Sequence, residues 1–253
     1  MLEFFEIFLT WEGWVYFIIL SLLEIVLGID NIIFISIITS KLEENKRRYA
    51  RNLGLSIALI FRLFLLALVS FIMQLTHPLF SILNTDISGQ SIILIVGGLF
   101  LIYKSVTEMH ENLQSDKDKD ITSSPPQISS VIMQIIAIDL IFSLDSIISA
   151  VGMTNGIEKE IHHDPLPLII FAVIISMIVM LIFAGAISQF INDHPTIKMI
   201  ALSFLVSIGI LLIAEGIGQK FPKGYIYFAL VYSLFVEFLN IRVRNKKNSS
   251  KIN

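Results

Sequence analysis

Glu24-Ile25-Val26-Leu27-Gly28-Ile29-Asp30-Asn31 places two carboxylic acids and an amide inside an apolar run that begins near Trp14. A carboxylate at a bilayer centre costs roughly 2.5–3.5 kcal/mol on insertion scales. A chain that keeps two in one segment must pair them, solvate them or use them. Composition decides that the segment is a membrane span. Of the 253 residues, 55% are hydrophobic and only 15% charged, and the mean hydropathy is +0.80. Soluble domains carry about 25% charged residues, so this chain cannot cover itself with a solvated surface. The expected class is an all-α polytopic membrane protein with no sizeable soluble domain. The absence of cysteine excludes disulfides, thiolate metal sites and thiol catalysis. The acidic N-terminus lacks the basic flank of a cleaved signal, so the first helix is expected to be retained.

Apolar runs separated by polar breaks predict seven transmembrane helices, at about 14–40, 51–75, 88–108, 131–154, 166–191, 197–218 and 224–241. The longest break, His110 to Gln127, alternates charges and contains Pro125-Pro126. It reads as a hydrophilic cytosolic linker over 109–130. Fourteen of the 18 Lys and Arg residues fall on one side of the predicted spans and three on the other, with Arg62 inside the second span. The positive-inside rule then gives an N-out/C-in orientation.

The opening words return later in the chain. Glu24, five residues, Asp30, Asn31 and Ile-Ile are matched by Asp139, five residues, Asp145, Ser146 and Ile-Ile. Thr76-His77-Pro78 is echoed by Asp193-His194-Pro195, and Gly98-Leu-Phe-Leu-Ile by Gly209-Ile-Leu-Leu-Ile. Three spans in each half put the second half upside down relative to the first. The expected organisation is a 3+3 inverted repeat, 14–108 and 131–218, with a seventh helix and basic tail over 219–253.

Six residues along a straight helix separate Glu24 and Asp30 by about 120° and about 9 Å, too far to share one ion. Either Gly28 marks a break that swings Asp30 around, or Asp30 meets Asp145 where the halves cross, and pseudo-symmetry favours the second. Asp30, Asn31, Asp145 and Ser146 are expected near the centre, with Glu24 and Asp139 lining the same path on either side. These are all hard oxygen ligands, which suit Mn²⁺, Ca²⁺ and Mg²⁺ far better than Cu⁺ or Zn²⁺. Clustered carboxylates also have coupled protonation, which would let cation release accompany proton uptake. The expected function is a secondary transporter of a hard divalent cation, by the logic of a cation/proton antiporter. No resident cofactor and no nucleic-acid partner are expected, and protein partners cannot be read.

Arg62 reads as a counter-charge to the acids. Lys104 and Glu215 are candidate pairing or gate residues near span ends, and Glu237 and Asn240 could close the path or cap the last helix. Glu108-Met-His110-Glu111 has helical spacing but reads as an inner-mouth metal contact only secondarily. His162-His163-Asp164 reads as a solvated loop, and His77 and His194 as turn residues. Gly97, Gly98 and Gly209 read as helix-packing positions. The tail from Arg242 reads as an anchor to anionic lipid.

The words LLEIVLGIDNIIFIS and IAIDLIFSLDSIISAVGM, with VEFLN (236–240) and AEGIGQKFPKGYIYF (214–228), resemble the TerC family of integral membrane proteins, in its short branch without cytosolic CBS domains. The resemblance implies a seven-helix fold related to the LysE-type exporters. It also implies metal export, chiefly of manganese, through the residues in the matching motifs: Glu24, Asp30, Asn31, Asp139 and Asp145. It favours a bacterial plasma membrane. The competing functions are a membrane scaffold that assists metalation of exported proteins, and an intramembrane aspartyl protease. The latter lacks the Gly-x-Gly-Asp word, which reads Phe142-Ser-Leu-Asp145 here. No Walker A motif supports ATP hydrolysis.

Overall fold

An apolar stretch in lipid must satisfy its backbone internally, so the spans form helices. The computed structural model of the chain describes residues 6–74, 76, 78–82, 85–113, 126–161, 165–219 and 221–252. His77, Lys117, Lys119, Lys220 and the His162-His163-Asp164 group lie outside the described residues. A single 3₁₀ turn, Ile7–Leu9, leads into α1 (Trp11–Leu27) and α2 (Ile29–Thr39), which together make the first span. Then follow α3 (Glu44–Ala67), α4 (Val69–Gln74), strands β1 (Pro78–Ile82) and β2 (Thr85–Ser88), and α5 (Gly89–Leu113). The second half holds α6 (Ile128–Ile161), α7 (Leu166–Asp193) and α8 (Pro195–Gly216), and the chain closes with α9 (Gly224–Ile252). Among the described residues, seven helical segments are long and apolar enough to cross a membrane. The chain is a multi-pass, all-α membrane protein.

Local signals set the element boundaries. Thr10 caps α1 by accepting the Gly13 N–H at 3.1 Å. Pro195 opens α8, and the extended His194 before it turns the chain from α7. His194 Nδ1 lies 2.9 Å from the Phe190 carbonyl and its ring packs on Phe190, so it serves the turn. One feature departs from the sequence reading: the break after the second span holds a short antiparallel hairpin. Pro78 stands at its first position, where a missing N–H is tolerated.

The halves pack reciprocally. The first span of each half lies against the second span of the other: α1 and α2 on α7, and α6 on α3. The two third spans, α5 and α8, lie against each other, and α9 packs on α8. Glycines allow the α5–α8 crossing. A Cβ added at Gly98 would sit 2.5 Å from the Gly209 carbonyl oxygen, and one at Gly209 would sit 2.8 Å from that of Gly98. In lipid, such close backbone approach supplies the attraction that apolar burial supplies in water. Gly97 does the same work against Ile141 on α6. Large apolar side chains such as Ile60, Ile182 and Phe228 are exposed outward.

Gly98→Ala and Gly209→Ala are each expected to destabilise the detergent-solubilised protein by about 1–3 kcal/mol, measured as a lower thermal midpoint. Gly224→Ala, where an added methyl meets nothing within 4 Å, should leave the midpoint in place. Equal midpoints for all three would show that backbone contact does not hold this crossing.

Candidate functional site

The first span is interrupted at Gly28. Its N–H turns back to the Ile25 carbonyl at 3.2 Å, ending α1, and a new helix begins at Ile29. Met180 of α7 explains the glycine: its Sδ would lie 2.4 Å from a Cβ at this position. The interruption places Asp30 in the first turn of α2, where its Oδ1 accepts the Asn31 N–H at 3.0 Å. A helix N-terminus favours a negative charge, so the break itself offsets part of the burial cost. Of the two arrangements open from the sequence, the break at Gly28 is present. The matching position in the second half, Ser143, interrupts nothing, and α6 runs through it.

Arg62 of α3 is only 2% exposed and joins the two halves. Its Nη1 donates to Glu24 Oε2 and its Nη2 to Asp139 Oδ1, each at 3.1 Å. Its Nε donates to Ser143 Oγ at 2.8 Å, and that hydroxyl donates onward to Asp139 Oδ2 at 3.1 Å. Asn31 Nδ2 also reaches Asp139 Oδ1, at 3.4 Å. All three directions of one guanidinium are therefore used on the first acid of each repeated motif and its neighbour. The fork geometry of arginine suits this better than a lysine would.

Beside this network lies a cavity of about 20 Å³, room for about one water-sized occupant. Glu24, Asp30, Asp145 and Ser146 line it, together with Lys223 and Tyr227 of the loop before α9 and its first turn. Lys223 Nζ is ion-paired with Asp145 and lies 3.4 Å from Glu215 Oε2. Burial works to lower the pKa of Lys223, but Asp145 and Glu215 outweigh it and hold the ammonium above its ordinary range. Two buried acceptors, Glu24 Oε1 and Asn31 Oδ1, have no hydrogen-bond partner. Unsatisfied buried oxygens are costly; Ser21, Ser105, Glu108, Glu215 and Glu237 each hold another among the described residues, and these two belong to the repeated motif.

Of the residues singled out in the sequence, Glu24, Asp30, Asp145 and Ser146 meet at the cavity. Asn31 and Asp139 do not line it. Asp139 is held by Arg62, since it sits one helical turn before Ser143 and both bond the guanidinium, and Asn31 reaches Asp139. Glu24 and Asp139 are therefore tied into one network by Arg62, where the sequence placed them on opposite sides of a path. Glu215 joins the cluster through Lys223. Lys104 lies at the other end of the molecule, 3.5 Å from Glu108. There Lys41 Nζ stands 2.6 Å from both Glu108 and Glu111, so the Glu108–Glu111 stretch has lysine partners. Glu237 is buried on α9 and accepts from Asn240 Nδ2 at 3.3 Å, and neither lines the cavity. Among the described residues no three His, Asp or Glu side chains form a ready metal-binding group, and Arg62 and Lys223 are paired with Glu24, Asp139 and Asp145.

Lys223 and Tyr227 were not singled out from the sequence. The available signal was charge distribution: Lys223 is one of three basic residues on the sparsely charged side, set between Pro222 and the last span. A residue that departs from the positive-inside pattern at a span end has a structural reason to be there.

The sequence profile of the family described as "Integral membrane protein TerC family" matches residues 9–251. A Haemophilus influenzae protein named UPF0053 protein is 46% identical over 235 residues, covering 92% of this chain and 95% of its own. The UPF0053 inner membrane protein YgdQ of Escherichia coli K12 is 45% identical over 237 residues, 94% of this chain and 95% of its own. The longer UPF0053 inner membrane protein YoaE of the same organism is 44% identical over 228 residues, 90% of this chain but 42% of its own. No solved structure matches the chain. With its spans and these relatives, it is a multi-pass protein of a bacterial cell membrane, and it belongs to the TerC family of integral membrane proteins.

Proposed function

We propose that the chain is a secondary transporter that exports a hard divalent cation, Mn²⁺ fitting best, through the central cavity, with protons as the exchanged ion. The observation that carries this reading is a water-sized space within the membrane span that Glu24, Asp30 and Asp145 line together with Arg62 and Lys223, and beside which Glu24 Oε1 has no hydrogen-bond partner. Carboxylate, amide and hydroxyl oxygens are the ligands that Mn²⁺, Mg²⁺ and Ca²⁺ prefer. Arg62 holds one oxygen of Glu24 and leaves the other to a ligand. Lys223 stands where a cation would neutralise Asp145. In this mechanism the arriving ion takes the place of the ammonium, and Lys223 or protons restore neutrality once the ion leaves. The halves 14–108 and 131–218 then act as an inverted repeat, supported by their reciprocal packing. The basic end faces the cytoplasm, which leaves the N-terminus out and the C-terminus in.

Radiolabelled Mn²⁺ flux into proteoliposomes with an imposed pH gradient tests the reading. Wild type is expected to show gradient-driven flux, and Asp145→Asn to lose it at least tenfold, because the neutral amide no longer supplies a charged ligand. Flat traces for Mn²⁺, Mg²⁺ and Ca²⁺ in the wild type would sink the transporter reading.

Lys223→Gln removes the competing cation. Mn²⁺ binding to the detergent-solubilised protein should tighten about tenfold while turnover falls, since a charged partner of a buried acid is worth on the order of 1.4 kcal/mol or more. Unchanged affinity would mean that Lys223 does not compete with the substrate.

Arg62→Gln leaves Glu24 and Asp139 buried without a cation. A loss of about 3–5 kcal/mol in folding stability is expected, read as a collapsed thermal midpoint or loss of folded yield. Arg62→Lys, which keeps charge but not the three-way fork, should fall between the two. A midpoint for Arg62→Gln equal to wild type would refute the bridging role.

A further inference from the structure

At the basic end, away from the central cavity, a crevice of about 610 Å³ opens between α3 and α7. From α3 it takes Arg47, Arg48 and Arg51, and from α7 Gly185, Ser188 and Asn192. Arg47 is partly committed, its Nε donating to the Leu42 carbonyl at 2.8 Å. Arg51 is not. Its Nε is buried without a hydrogen-bond partner, and the charge acting on it is the like charge of Arg48. No ion pair forms on Arg48 or Arg51 among the described residues. Two neighbouring guanidiniums at a membrane-helix end, one with a buried unpartnered donor, call for an anion.

Gly185 makes the space. A Cβ there would lie 3.3 Å from Arg51 Nη2, tighter than an ordinary contact, so the absent side chain leaves the guanidinium room against α7. The crevice is also graded in depth. Glu44 and Asp193 line it at the ends of their helices, about 10–12 Å from Arg51 and Gly185 by helical rise. Leu181 and Ile182 line it on the opposite side, about 5 Å deeper, and Ile182 is 67% exposed. Polar rim, arginine floor and apolar outlet follow in the order of a lipid molecule: headgroup, phosphate, acyl chain.

We propose that this crevice binds the phosphodiester of a membrane phospholipid, with Arg48 and Arg51 on the phosphate and the acyl chains leaving past Leu181 and Ile182. Basic pockets between helices on the cytoplasmic side suit this ligand, and the arginine fork matches phosphate oxygens. A free phosphate shares the anion chemistry but has no use for the apolar outlet, which favours the lipid. The inference does not depend on the transport reading.

The test is native mass spectrometry of the full chain extracted from vesicles of phosphatidylethanolamine and phosphatidylglycerol, counting retained phospholipid. Arg48→Gln/Arg51→Gln should retain about tenfold less lipid, from the loss of charge-assisted hydrogen bonds. Gly185→Leu, which fills the crevice and keeps both charges, should do the same and carries the test if the arginine variant fails to fold. Arg242→Gln/Arg244→Gln in the tail should match wild type, and excess inorganic phosphate should displace nothing. Wild-type retention by both crevice variants overturns the proposal. Displacement of the lipid by inorganic phosphate also overturns it, in favour of a soluble anion.

Discussion

One guanidinium holds this fold at its centre. Arg62, on the second span of the first half, neutralises Glu24 from its own half and Asp139 from the other, and fixes Ser143 as well. In lipid there is little apolar driving force between helices, so interhelical polar contacts and close packing decide which helices meet. The reciprocal arrangement of first and second spans follows, because α1 and α3 must both reach α6 around this residue. The α5–α8 crossing at Gly98 and Gly209 completes the arrangement with close backbone approach flanked by Ile102 and Ile213. Glu24 and Arg62 of the network also line the cavity beside it, together with the second acids, Asp30 and the lysine-paired Asp145.

Much of this was legible from the chain because lipid makes errors expensive. Seven spans follow from hydropathy, since a charged surface is missing. The repeated acids stand out because a carboxylate inside an apolar run has no neutral explanation. Arg62 was legible as a counter-charge for the same reason, being the lone basic residue inside the second span. Gly98 and Gly209 were legible as small residues at matched positions.

What was not legible depended on who meets whom. Gly28 and Ser143 occupy corresponding places, yet only the first interrupts its helix: Gly28 leaves room for Met180 that a Cβ would take, and Ser143 is held by side-chain hydrogen bonds. No local pattern carries that difference. Lys223 reaches Asp145 across 78 residues, and a lysine in a polar loop looks solvated until the last helix is placed. The hairpin at 78–88 was hidden in the same way, within a break too short to show a period. That Asp30, Asp145 and Ser146 line the cavity, Asp139 and Asn31 join the arginine network and Glu24 does both likewise needed side-chain partners, since spacing alone had put them on one path.

The placement of Lys223 bears on how the protein is made. In the first half Glu24 already has Arg62 within its own three spans. The second half carries Asp139 and Asp145 and draws both counter-charges from elsewhere: Arg62 from the chain before it, Lys223 from the loop leading into α9. A fragment that stops before Lys223 lacks the counter-charge of Asp145. Asp139 meets an arginine that precedes it in the chain, whereas Asp145 gains its lysine only once residue 223 has been made, so the loop into the last helix completes the charge balance of α6.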